Sequence, residues 1–156
     1  GRIDHALHVN NVEYALREAA MFDDAVRVAL ERTDARDTLI VVTADHSHPL
    51  VLGGDPRVGR QPDGREDVAV TRANLMGSGG LDLEKKEFPA LVFGSGPGAL
   101  EPRPPIADRP ALIPLPYSTH AGEDVLVAAR GPGAERVRGF ITNTDVFALM
   151  RDAYGW

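Results

Sequence analysis

"TLIVVTADHSH", Thr38 to His48, decides how this chain is read. Its first half is a short, β-branched, nearly continuous apolar run. Such a run reads as a strand buried on both faces, as in a parallel sheet. Its second half packs one aspartate and two histidines into four residues, Asp45 to His48. In open α/β sheets ligand chemistry gathers beyond the carboxyl ends of the strands, which is where Asp45 and His46 fall.

Upstream, Asn11 to Arg32 is helical by period. Ala15, Ala19, Phe22, Val26 and Leu30 step by three or four residues and form one apolar stripe. Glu13, Arg17, Asp24, Arg27 and Glu31 suit the wet side. A helix joined to a strand by the polar link Thr33 to Asp37 is half of an α/β unit. Downstream, Ala90 to Gly94 and Asp124 to Ala129 read as two further strands. The chain closes on a helix over "NTDVFALMRDAYG", with Asn143 or Thr144 as N-cap and Asp145 at its positive end. The expected class is α/β, a mostly parallel sheet flanked by helices. Pro49 to Glu87 reads as loop with an edge strand around Val68 to Val70. Residues 100–116 carry six prolines, which excludes helix and central strand there.

The totals bound the function. With 156 residues the chain has the size of one domain or of a fragment of a larger one. A net charge of -6 argues against a general nucleic-acid binder. No apolar run is long enough to span a membrane. There is no cysteine, so any metal must be held by His, Asp and Glu. The opening "GRIDHALH" shows neither an initiator Met nor a signal-peptide pattern. It is expected to begin within a longer polypeptide, through processing, cleavage or expression design.

The five histidines fall into three clusters, "DHALH", "DHSH" and "THAGED". Asp4 and His8 are four residues apart, so on a helix both project from one face. Together with His120 they supply three ligands and leave a fourth position open, as at a catalytic zinc. Asp45 and His46 supply two, too few for a tight zinc site without ligands from outside the chain. His48 is placed to hydrogen-bond a ligand carboxylate and orient it. Each cluster also has an ordinary reading: a helix start for the first, an Asp-capped turn with solvated histidines for the second, a hydrogen-bonded structural histidine for the third.

Taken in order and spacing, "GRIDHALH", "FDDAVRVAL", "DTLIVVTADHSH", "LVFGSGPG", "THAGED" and "VLVAARGP" resemble the C-terminal portion of alkaline phosphatases, the animal-like branch above all. The resemblance runs from Gly1 to about Tyr154 and is weakest over 57–81 and 100–117, where a shortened, proline-rich insertion stands. It implies a phosphate monoester hydrolase with two zincs and a nearby magnesium. It matches Asp4, His8 and His120 to the first zinc, Asp45 and His46 to part of the second, and His48 to the hydrogen bond behind Asp4. It matches His5 to a residue that reaches phosphate through water. In that family a serine in an Asp-Ser-Ala motif attacks phosphorus, and the motif does not occur here. No catalytic nucleophile is therefore assigned, and the magnesium ligands are absent.

The implied partners are a phosphate monoester or phosphate and the N-terminal half of a parent enzyme. A homodimer stays open, and the implied location is periplasmic or secreted. The isolated chain is expected to be inactive. The competing readings are a non-catalytic zinc-binding fragment and a related metallo-phosphodiesterase, the latter disfavoured by "THAGED".

Overall fold

The computed structural model describes residues 1–53, 78–97 and 111–156. The edge strand expected at Val68 to Val70 and most of the proline-rich segment lie outside these residues. The chain divides into two compact units. One comprises Gly1–Ala19 with His48–Ala121, the other Ala20–Ser47 with Gly122–Trp156.

In the first unit, helix α1 covers Arg2–His8. It stops because Asn10 takes a left-handed backbone, φ 56, which asparagine tolerates better than most residues. The Asn11 side chain then accepts the Tyr14 backbone N–H at 2.9 Å. That caps helix α2, Val12–Arg32. The sequence expects one helical pattern from Asn11; the structure adds α1 as a separate short turn carrying Asp4 and His8. Helix α2 belongs to the first unit as far as Ala19 and to the second from Ala20 on, and its stripe is only partly buried. Ala15 is buried and Val26 and Leu30 are half-buried, whereas Phe22 is 47% exposed.

The sheet of this unit has the order β2-β5-β6, from β2 (Leu50–Leu52), β5 (Leu91–Gly96) and β6 (Ala111–Pro114). Its centre β5 is the run expected at Ala90 to Gly94, displaced by one or two residues. Phe93, Leu91, Val12 and Ala111 form the core, with Leu7 and Leu16 against it. Fully burying a side chain such as Phe93 contributes about 2–3 kcal/mol. Strands β3 (Ser78–Leu81) and β4 (Glu87–Pro89) make a separate antiparallel ladder. Neither β2 nor β3 is apparent in the Gly- and Asp-rich sequence between Pro49 and Glu87. Strand β6 lies in the proline-rich segment, at the sheet edge where proline can be accommodated.

Two backbone details tie this unit together. The Gly94 N–H donates to the Pro49 carbonyl at 2.7 Å, setting the residue after His48 against β5. Gly96 has φ +132, and a Cβ there would fall 2.3 Å from the Asn10 amide oxygen. Both amide atoms of Asn10 are buried without a hydrogen-bond partner, so its side chain is a spacer packed on the Gly96 backbone.

In the second unit β1 (Ile40–Val42) pairs antiparallel with β7 (Ala128–Arg130). Strand β1 is half-buried rather than buried on both faces. Gly131 follows β7 at φ +114, and a Cβ would fall 2.0 Å from the Thr38 carbonyl oxygen; only glycine fits. Helix α3 covers Asn143–Ala153 and buries Leu149. Its cap is Thr142, not Asn143 or Thr144. The Asp145 carboxylate accepts the Thr142 backbone N–H at 2.7 Å and its hydroxyl at 2.9 Å, which moves the start one residue upstream.

The α/β class stands, with three α-helices and several short strands among the described residues. The expectation of a mostly parallel sheet does not hold among the described ladders. β1–β7, β2–β5 and β3–β4 are antiparallel, and β5–β6 alone is parallel. A continuous apolar run reports burial, and burial does not depend on the direction of the paired strand.

Candidate metal centre

Asp4, His8, His48 and His120 converge in the first unit, with one ligand-type atom from each lying within 4.8 Å of the others. They come from three places. Asp4 and His8 lie one turn apart on α1, His48 stands two residues before β2, and His120 follows β6. The i, i+4 spacing brings His8 Nε2 to 3.4 Å from Asp4 Oδ1. His120 Nε2 lies 3.1 Å from His8 Nε2 and 3.5 Å from Asp4 Oδ1.

These three separations can be compared with a coordination sphere. Zinc–nitrogen bonds are about 2.0–2.1 Å, and two ligands of a tetrahedral ion are then roughly 3.3 Å apart. The triangle of 3.1, 3.4 and 3.5 Å has that scale. His48 differs. Its Nε2–H donates to Asp4 Oδ1 at 2.7 Å, a charge-assisted hydrogen-bond distance. The His48 side chain is 4% exposed, against 29% for His8 and 50% for His120.

The tautomer of His8 follows from its partner. His8 Nδ1 is 2.7 Å from the Ser118 carbonyl oxygen. A carbonyl can only accept, so Nδ1 carries the hydrogen, and in the neutral ring Nε2 then presents a lone pair to the cluster. The Ser118 N–H returns a bond to the His8 carbonyl at 2.8 Å. A histidine whose second ring nitrogen donates to a backbone carbonyl is oriented as metal-ligating histidines generally are. With neutral imidazoles and one carboxylate, the donor set is of the kind that holds zinc.

The electrostatics agree. The His48 hydrogen bond is the main cause holding the Asp4 carboxyl below the ordinary carboxylate range, with smaller contributions from the charges of His8, His48 and His120. Burial is the main cause pushing the His48 imidazole below 6.5, and Asp4 opposes it. Both shifts favour neutral His48 donating to ionised Asp4.

The remaining sequence candidates lie elsewhere. Asp45 and His46 belong to the second unit. His46 Nε2 is 3.5 Å from Asp45 Oδ2, and the Asp45 side chain is 88% exposed. Ser47 Oγ, between the two histidines of that motif, donates to the Glu123 carboxylate, and this contact holds the Glu123 carboxyl below its ordinary value. His5 is exposed on α1. Sequence reasoning missed Ser118, whose backbone clasps His8. The signal was faint: a serine two residues before His120, with nothing in its type to mark the use of its main chain.

The alkaline phosphatase family model matches residues 1–155. Tissue-nonspecific alkaline phosphatases of Gallus gallus and Homo sapiens are 36% and 34% identical over 151 residues. Each alignment covers 89% of this chain and 27% of the relative. The chain thus spans about a quarter of the length of the curated relatives it matches.

Proposed function

Since the chain belongs to the alkaline phosphatase family, we propose that it is the portion of a phosphate monoester hydrolase that supplies one nearly complete zinc site and part of a second. Asp4, His8 and His120 are the ligands of the first. The observation that carries this reading is the triangle of three donor atoms at 3.1–3.5 Å. A zinc held there would act as a Lewis acid toward phosphoryl oxygen and offset the charge that develops as the ester bond breaks.

The chain's own residues then have separate tasks. His8 is fixed by Ser118 so that Nε2 faces the site. Asp4 supplies the negative charge that a dication needs. His48 holds the Asp4 carboxylate in place and keeps it ionised. Asp45 and His46 are two ligands of the second zinc, completed by residues of the parent chain, and His5 stands near the bound phosphate. The magnesium ligands and the nucleophile also belong to that other portion. The parent enzyme acts in the periplasm or outside the cell.

A non-catalytic, closed zinc site is the second reading, favoured by His48 as a fourth donor residue in the cluster. The 2.7 Å separation argues against it, being shorter than the spacing of two ligands on one zinc. The test pairs two assays on this chain. Zinc titration should show binding that falls about 100-fold or more in His8→Ala, and p-nitrophenyl phosphate should not turn over. Zinc affinity unchanged in His8→Ala would refute the ligand assignment. Turnover by the chain alone would refute the division of labour.

A further inference from the structure

We propose that Ser95 is a positioning residue for His120, acting through Thr119; this rests on the reading of His120 as a metal ligand. His120 is the most exposed member of the cluster, its side chain 50% exposed, and it sits in a segment without regular structure. The two residues just before it are both anchored. Ser118 is tied to α1 through its two bonds with His8, at 2.7 and 2.8 Å. Thr119 is tied to β5. Its backbone N–H donates to Ser95 Oγ at 3.1 Å, and the two hydroxyls lie 3.0 Å apart.

Ser95 is suited to this by its surroundings. It is 5% exposed and stands near the carboxyl end of β5, the central strand of its sheet. Such a hydroxyl has one rotor and a rigid base. It can accept the Thr119 N–H while donating its own hydrogen to Thr119 Oγ1. On one side the strap is fixed to the helix that carries Asp4 and His8, and on the other to the central strand. Releasing Thr119 would remove the tie between the His120 segment and the central strand.

Changes to groups that orient metal ligands typically weaken metal affinity 10–100-fold. The experiment is a zinc titration of the full 156-residue chain, with chelator competition, on a four-member set: the unaltered protein, Ser95→Ala, His120→Ala and the double variant. The expected result is a loss of roughly 10-fold in Ser95→Ala. No further loss is expected when Ser95→Ala is added to His120→Ala, because a residue that acts through His120 has nothing left to position. Ser95→Thr keeps the hydroxyl and should recover most of the affinity. Thr119→Val keeps the backbone N–H and should lose less than Ser95→Ala; it also serves if Ser95→Ala folds poorly.

An unchanged affinity in Ser95→Ala, or a loss that simply adds to that of His120→Ala, would overturn the proposal while leaving the ligand assignment standing. An unchanged affinity in His120→Ala itself would overturn the ligand assignment, and the positioning role with it.

Discussion

The chain carries two Asp–His pairs of similar composition and very different surroundings. Asp4 and His8 are one helical turn apart, and two more histidines from distant segments close on them. Asp45 and His46 are adjacent in sequence, with a carboxylate–imidazole distance of 3.5 Å and an Asp45 side chain that is 88% exposed. Residue type alone does not separate the pairs. What separates them is how many donors the rest of the unit brings to the same place, and how firmly each donor is held.

The largest effects should fall on one pair and spare the other. His8→Ala and His120→Ala should each weaken zinc binding by about 100-fold or more, beyond what loss of an orienting group costs. Asp45→Ala and His46→Ala should leave it within about twofold, because two ligands alone do not make a tight site. Calorimetric zinc titration of all four variants measures the contrast. Equal losses in the two sets would erase it.

Next in size is a backbone change in the unit that holds the weaker pair. Gly131→Ala combines φ +114 with a Cβ 2.0 Å from the Thr38 carbonyl. A cost on the order of 2–3 kcal/mol is expected in urea unfolding. A change under about 0.5 kcal/mol, the range of ordinary surface substitutions, would show that the β1–β7 corner is not set as described.

His48→Ala should cost less than loss of a ligand, roughly 10-fold in zinc affinity. His48→Gln, which can still donate to Asp4, should restore part of it. Full retention in His48→Ala would mean that the 2.7 Å hydrogen bond does not orient Asp4.

The smallest effect is a pH dependence of the metal-free chain, and its sign follows from the two shifts. His48 binds its proton less readily folded than unfolded, because burial disfavours the charged imidazole. Its contribution is present above about pH 6.5 and is lost as pH falls through the depressed value. Asp4 is likewise depressed, by the His48 hydrogen bond, and its contribution fades below about 3.8. Stability should therefore decline on acidification in two steps, the His48 step first. Denaturant unfolding at about pH 7.5, 5.5, 4 and 2.5 checks this; greater stability at the lower values would reverse the sign. His48→Gln should remove the upper step.

Helices were the most legible part of the fold. The stripe from Ala15 to Leu30 and the final helix follow from 3.6-residue periodicity, which is local. Strands were legible where apolar and obscure where not. β5 was evident in Ala90 to Gly94, whereas β2 and β3 are short, and Gly79 and Gly80 give no alternation to read. Strand direction was not legible at all, because burial masks it.

At the candidate site the spacing of Asp4 and His8 could be read from the sequence. That His48 and His120, 44 and 116 residues beyond Asp4, would join it does not follow from local spacing; the clustering of the histidines suggested it and the family resemblance agreed. The clasp by Ser118 and the strap by Ser95 use a carbonyl, a backbone N–H and a hydroxyl, and no motif announces such contacts.

The most direct single measurement is the number of zinc ions bound per chain, by native mass spectrometry of the protein and of its His8→Ala and His46→Ala variants. One tightly held zinc is expected in the unaltered chain and in His46→Ala, and none in His8→Ala. Retention of that zinc in His8→Ala, or its loss in His46→Ala, would contradict the assignment of the site to Asp4, His8 and His120.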